Sequence, residues 1–260
     1  MTFLTQIHPF TLLLLASLFT YLLTALGSAV VFCFKSIHKR SLDIMLSISA
    51  GLMVAASIWS LIIPAISLAD ELWQNSWLLP ALGFLAGGLF IILTSIFIDK
   101  KLPDAIEKKR SILIIGVMPL HNIPEGLAVG VAFSGFATGI NGCSLASALM
   151  IALGIGIQNI PDGIAISVPL YRDGMSKGKA FLCGQTSGIM EIIAAIIGYF
   201  ITISIQSILP LFFAFAAGAM ITVVISELIP DISPENRTLG VIGFILGFTV
   251  MMILDLAIVI

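Results

Sequence analysis

Residues 10–34 run without a single charged side chain, and seven further stretches of the chain are almost as apolar. A bilayer crossing takes about 20 consecutive apolar residues as a helix. With no water in the hydrocarbon, every backbone N–H and C=O must pair within the protein, which leaves helices and closed barrels. The runs are continuous rather than alternating, so a β-barrel is excluded. The reading is an all-α integral membrane protein of eight transmembrane helices, at about 10–34, 44–69, 77–98, 112–134, 144–170, 180–205, 208–230 and 239–260. The break between the sixth and seventh is the least marked. These segments fill most of the 260 residues, of which 59% are hydrophobic and 10% charged, at a mean hydropathy of +1.15. A soluble domain carries roughly 25% charged residues. Residues 1–260 therefore read as a single transmembrane domain. The first run is too long for the apolar core of a signal peptide and has no Lys or Arg before Lys35, so it reads as a retained helix.

Charge sets the expected topology. Lys35, Lys39 and Arg40 lie between segments one and two, and Lys100, Lys101, Lys108, Lys109 and Arg110 between three and four. Arg172, Lys177 and Lys179 lie between five and six, and Arg237 between seven and eight. Together these are all 12 basic residues, on one side of an eight-helix chain. The positive-inside rule makes that side cytoplasmic and both termini extracytoplasmic, in the cell membrane. Cys33, Cys143 and Cys183 are scattered without CxxC spacing and read as packing residues.

Ionisable groups inside a bilayer are expensive and mark sites by default. Glu125, Asp162 and Glu191 lie deep in segments, as does His121, while Glu227, Asp231 and Asp255 fall near segment ends, where exposure to solvent is expected. The first cluster reads HNIPEG from His121 and the second QNIPDG from Gln158. On a helix, His121 and Glu125 share a face with Asn122 about 100° round, and Gln158, Asn159 and Asp162 repeat the arrangement. One imidazole, carboxylates and amide oxygens form an N/O donor set suited to a divalent metal. Pro124 and Pro161 remove a backbone donor beside each cluster, so a kink is expected there. Gly126 with Gly130, and Gly163 with Ser167, allow close helix contact, expected between the two motif-bearing helices. A motif repeated on consecutive, antiparallel segments implies inverted repeats around a midplane ion site, an arrangement used by secondary transporters.

At these residues the sequence resembles the ZIP family of metal-ion transporters, in its short prokaryotic-type, GufA-like branch. HNIPEG and QNIPDG match the motifs of the fourth and fifth segments. TSGIMEIIAAIIGYF, FAAGAMITVVISELIPD and GFILGFTVMMILD resemble the sixth to eighth, and SAGLMVAASIWSLIIPAI the second. The resemblance implies eight helices in a 3+2+3 arrangement with metal held between the fourth and fifth. It implies one metal position at His121, Glu125, Gln158 and Asp162, and a second at Asn122, Asn159, Asp162 and Glu191, with Asp162 bridging. Met53 matches a thioether position near the first, with plain packing as the other reading. Asp162 stands where relatives usually have Glu, Asn159 is neutral, and Ile192 replaces a common Pro. Mononuclear and binuclear sites both stay open. The loop DKKLPDAIEKKR lacks the histidine cluster of many relatives, so no regulatory metal-sensing loop is expected.

The function so implied is secondary transport of a divalent cation, Zn²⁺ first and Fe²⁺, Mn²⁺ or Cd²⁺ as alternatives, into the cytoplasm by alternating access. The metal is cargo, and no prosthetic group is expected. The expected surroundings are the lipid bilayer, with no nucleic-acid partner and a homodimer as a candidate assembly. No GxxxxGK[ST] loop is present for nucleotide-driven transport. An intramembrane metalloenzyme would call for an open metal position and a base, as in HExxH, where this chain has HNIPE. The alternative is a proton or cation channel using the same carboxylates.

Overall fold

A computed structural model describes residues 6–33, 38–72, 77–101, 122–140 and 143–258, all helical or in short connections, with no strand among them. The helices are α1 (Pro9–Cys33), α2 (Lys39–Ala56), α3 (Ile63–Leu72), α4 (Leu78–Lys101) and α5 (Asn122–Thr138). They continue with α6 (Leu145–Arg172), α7 (Lys177–Ser204), α8 (Leu209–Val223), α9 (Ile229–Asp231) and α10 (Arg237–Ile258). Seven helical stretches among the described residues are long and apolar enough to cross a membrane, with α2 and α3 counting as one and α8 continuing to Leu228. Of the expected segment 112–134, the described part begins at Asn122. His121 lies outside the described residues.

Seven of the expected segments coincide with helical stretches whose ends differ by a few residues. The least marked break is real: Ile205 leaves the helix at φ −136° and ψ 83°, and a 3₁₀ turn, Gln206–Ile208, leads into α8 with Pro210 in its first turn. Proline there suits a helix start, where its missing N–H costs nothing.

Helix α6 runs without interruption through Pro161 and through Pro169. The expected distortion beside Pro124 falls where the preceding turn is outside the described residues. Departures from α-helical winding occur elsewhere, as π-helical turns at Ser57–Ile62 and Val224–Leu228. Each ends two residues before a proline, Pro64 or Pro230. Those prolines offer no N–H to the carbonyls of Ser60 and Ser226, and a widened turn accommodates the missing bond.

Packing is backbone against backbone. A Cβ added at Gly27 would overlap the Ile160 carbonyl oxygen, and one at Gly163 the Thr24 carbonyl oxygen, which presses α1 onto α6. Gly126 and Gly130 press in the same way on the carbonyls of Glu191 and Ala195, joining α5 to α7. Gly51 and Gly247 join α2 to α10, and Gly87 and Gly218 join α4 to α8. Lipid tails are as apolar as leucine, so helices gain by approaching closely rather than by escaping solvent. The motif glycines therefore seat α5 on α7 and α6 on α1. The expectation that these glycines join α5 to α6 is corrected: those two helices meet through polar side chains instead, as Gln158 does on Glu125.

Two carboxylates near helix ends differ from expectation. Asp255 is buried and accepts a hydrogen bond from the Ser60 hydroxyl at 2.6 Å, tying α10 to the π turn after α2. Glu227 is half-buried within the second π turn, and the Asp231 side chain lies outside the described residues. Asp43 is also buried and accepts from the Ser233 backbone N–H at 3.2 Å and the Asn236 amide at 2.8 Å, clamping the turn before α10. A residue near a segment end is thus not solvated when a neighbouring helix covers it. Large apolar side chains face outward instead, as Leu85 does on α4 and Ile245 on α10.

Candidate functional site

Five helices bring polar groups to one buried centre. Helix α5 contributes Glu125, α6 contributes Gln158, Asn159 and Asp162, and α7 contributes Glu191. Asn159 and Glu191 each fall near the middle of a 28-residue helix, about 42 Å long, so the centre lies at the depth of a bilayer core. Every one of these side chains is at most 2% exposed, and so is Asn122, the first described residue of α5.

The hydrogen bonds divide the centre into two linked pairs. The Gln158 amide N–H donates to Glu125 Oε1. The Asn159 amide donates to Glu191 Oε2 at 2.7 Å and to the Thr20 carbonyl of α1 at 3.2 Å. Asp162 lies close enough to both Glu125 and Glu191 for their charges to repel. Its Oδ1 accepts from the Ser49 hydroxyl of α2 at 2.8 Å. The two carboxylates Glu125 and Glu191 thus each take one amide donor, with Asp162 acting on both.

What the centre leaves over is acceptor oxygen. Glu125 Oε2, Gln158 Oε1, Asn159 Oδ1 and Glu191 Oε1 are fully buried, and no hydrogen-bond donor reaches them among the described residues. A buried polar atom without a partner costs about 1–3 kcal/mol. A cation bound through oxygen would satisfy several at once. Among the described residues, no three His, Cys, Asp or Glu side chains form a group that could hold a metal ion by themselves. A cation held here would take amide oxygens together with carboxylates.

The sequence expectations therefore meet the structure unevenly. Glu125, Gln158, Asn159, Asp162 and Glu191 come together, and Asn122 is buried one turn from Glu125. Met53 is fully buried in α2, within the main apolar cluster and one turn beyond Ser49. His121 lies outside the described residues. Sequence reasoning missed Ser49 and Thr20. The Thr20 hydroxyl donates to the Ser17 carbonyl at 3.0 Å, and Ser17, Thr20, Thr24 and Ser28 form a buried hydroxyl stripe along α1. Their spacing of three or four residues on an otherwise apolar helix was the signal available.

Ser49 gives a direct test. Ser49→Ala removes the donor to a buried carboxylate while keeping the helix, and a charge-assisted hydrogen bond is worth about 1.5–3 kcal/mol, or about tenfold or more in affinity. Zinc binding measured by calorimetry on the purified variant is expected to weaken by about that factor. Unchanged binding would make the contact incidental.

Comparison with known proteins points the same way. The family model described as ZIP Zinc transporter matches residues 99–255. The chain is 34% identical to the zinc transporter ZIPB of Bordetella bronchiseptica, covering 90% of this chain and 77% of that protein. It is 33% identical to the zinc transporter ZIP11 of Xenopus tropicalis, covering 93% of this chain and 96% of that protein. With the zinc transporter GufA of Myxococcus xanthus the identity is 28%, over 94% of this chain and 98% of that protein. A buried, oxygen-rich centre in a multi-pass helical membrane protein, with matches spanning nearly its whole length, shows that this chain belongs to the ZIP zinc transporter family.

Proposed function

We propose that the protein carries divalent metal cations, Zn²⁺ first and Fe²⁺, Mn²⁺ or Cd²⁺ as further candidates, across the membrane into the cytoplasm. The observation that carries this reading is the set of four buried oxygens on Glu125, Gln158, Asn159 and Glu191 that no donor reaches among the described residues. As buried acceptors they suit a cation, and neutral amides among them temper the charge, which suits binding that must also release. His121, Glu125, Gln158 and Asp162 form one metal position in this reading, and Asn122, Asn159, Asp162 and Glu191 a second, with Met53 beside the first. The two amide–carboxylate pairs support such a division. Asp162 is the bridging candidate, because its charge acts on both pairs.

The proposed architecture is one transport domain over residues 1–260, of eight helices in a 3+2+3 order with inverted-repeat symmetry. The packing supports it: α1 on α6 is matched by α7 on α5, and α4 on α8 by α2 on α10. The two π turns before Pro64 and Pro230 occupy corresponding places in that scheme. Eight crossings put every Lys and Arg on the cytoplasmic side and both termini outside. Transport by alternating exposure of this centre needs no bond-breaking chemistry, so the protein acts as a carrier and not as an enzyme.

Uptake of radioactive zinc into proteoliposomes tests the reading. Saturable uptake, competed by the metals the site accepts, is the expected result. Unsaturable flux with well-folded protein would replace the carrier by a channel using the same carboxylates, and no flux of any divalent metal would remove the proposal.

A further inference from the structure

A cavity of about 290 Å³ lies between α5 and α7 on one side and α4 and α8 on the other. Leu127 of α5, Met190, Ile193 and Ile197 of α7, Phe90 of α4 and Phe212 of α8 form most of its wall, and no polar atom of the described residues lines it. Water placed there would find no hydrogen-bond partner, so the space excludes water and polar solutes. Left empty, its lining would forgo dispersion contacts on one side.

The cavity continues the bilayer-facing surface of the protein. Ile193 is 46% exposed and Ile197 is 48% exposed, on the outward row of α7, whereas Leu127 at the back of the cleft is only 8% exposed. Ile193, Ile197 and Ile201 recur every fourth residue, so the rim follows α7 for about 12 Å, parallel to the helices. The apolar molecule present against this face at high concentration is lipid.

We propose that this cleft binds one lipid acyl chain, lying along α7. The occupant is fixed by the absence of polar lining, by the length and direction of the rim, and by its continuity with the lipid face. The position gives the chain a consequence. The pairs α5–α7 and α4–α8 are each locked internally by glycine contacts, and the cleft runs along the seam between them. A seated chain therefore touches both pairs. It also lies directly behind the polar centre, since Leu127 follows Glu125 by two residues and Met190 precedes Glu191.

The test uses the full chain in vesicles of palmitoyl-oleoyl phosphatidylcholine doped with a phosphatidylcholine bearing a mid-chain diazirine. After irradiation, adducts are mapped by mass spectrometry. The expected result is labelling of the recessed Leu127 and Phe212 as strong as that of Leu85, which is 61% exposed on α4. Ile197→Trp fills the cleft from its rim, and labelling at Leu127 should fall about fivefold or more as the chain is sterically excluded. Labelling at Leu85 should be unchanged, and Ile197→Ala should retain the wild-type pattern at Leu127. Absence of recessed adducts in the wild type, or their persistence in Ile197→Trp, would mean ordinary boundary lipid only and overturn the proposal. Rapid disulfide-linked dimerisation of an Ile197→Cys variant in the same vesicles would assign the cleft to a second copy of the chain and overturn it equally.

Discussion

Glu125→Ala is expected to abolish zinc uptake in proteoliposomes, by about a hundredfold or more, while leaving the protein monodisperse in detergent. The effect expected from the proposed site exceeds the 10–100-fold typical of losing a group that only supports a metal ligand, because in that site Glu125 offers a charged oxygen to the cation itself. The residue is fully buried, its Oε2 has no donor among the described residues, and Gln158 is oriented by its Oε1. Alanine would remove the charge and release the Gln158 amide together. Glu125→Gln separates these effects, since an amide oxygen can still accept from Gln158 while the charge is gone. Uptake should be lost in both variants, whereas thermal stability should fall mainly in the alanine variant. Full uptake by Glu125→Gln would show that this carboxylate charge is not part of the cation site. His121→Ala, on the other end of the same motif, should also lose uptake.

The second large effect concerns packing. Gly163→Leu is expected to prevent stable folding, because the added Cβ alone would overlap the Thr24 carbonyl oxygen of α1 and approach the Ser28 backbone nitrogen at 2.7 Å. Neither of those atoms can move without moving a helix. Overpacking a close contact costs typically about 1–3 kcal/mol, and a backbone obstacle leaves little room for relaxation. The damage should also reach the polar centre. Separating α6 from α1 withdraws the Thr20 carbonyl from the Asn159 amide, and with it the orientation of Asn159 toward Glu191. Gly163→Ala, as the milder change, should lower the melting midpoint in detergent by several degrees. Gly178→Ala is the matching control, because nothing lies within 4 Å of the position its Cβ would take. Equal stability of the two alanine variants would refute the close-contact account.

Much of this centre was legible in the chain. Glu125, Asp162 and Glu191 stood out because a carboxylate in an apolar segment is costly, and the repeated NIP motif linked two of them to amides. The same reading misplaced the glycines. Gly126 and Gly163 follow the motifs, so a contact between the motif helices was a natural inference, yet each glycine turns to a different neighbour. Periodicity states which residues share a face of a helix, and it does not state which helix that face meets. Asp255 shows the same limit: its place near a segment end suggested solvent, and only the approach of Ser60 from the π turn after α2 buries it. Ser49 and Thr20 did not stand out as site residues because a hydroxyl in a transmembrane helix can satisfy itself on its own backbone, as Ser28 does on Thr24.

The amino-acid sequence by itself determined that the chain is a helical membrane protein with costly polar groups at mid-membrane depth. Both follow from transfer free energies, which depend on composition along the chain and need no partner. Tertiary structure alone decided that Gln158 meets Glu125, that Asn159 joins Glu191 to α1, and that Ser49 holds Asp162. It alone left four oxygens at that centre without a donor among the described residues. Those outcomes depend on which helices glycine lets come within touching distance, and hydrogen bonds act only across such distances.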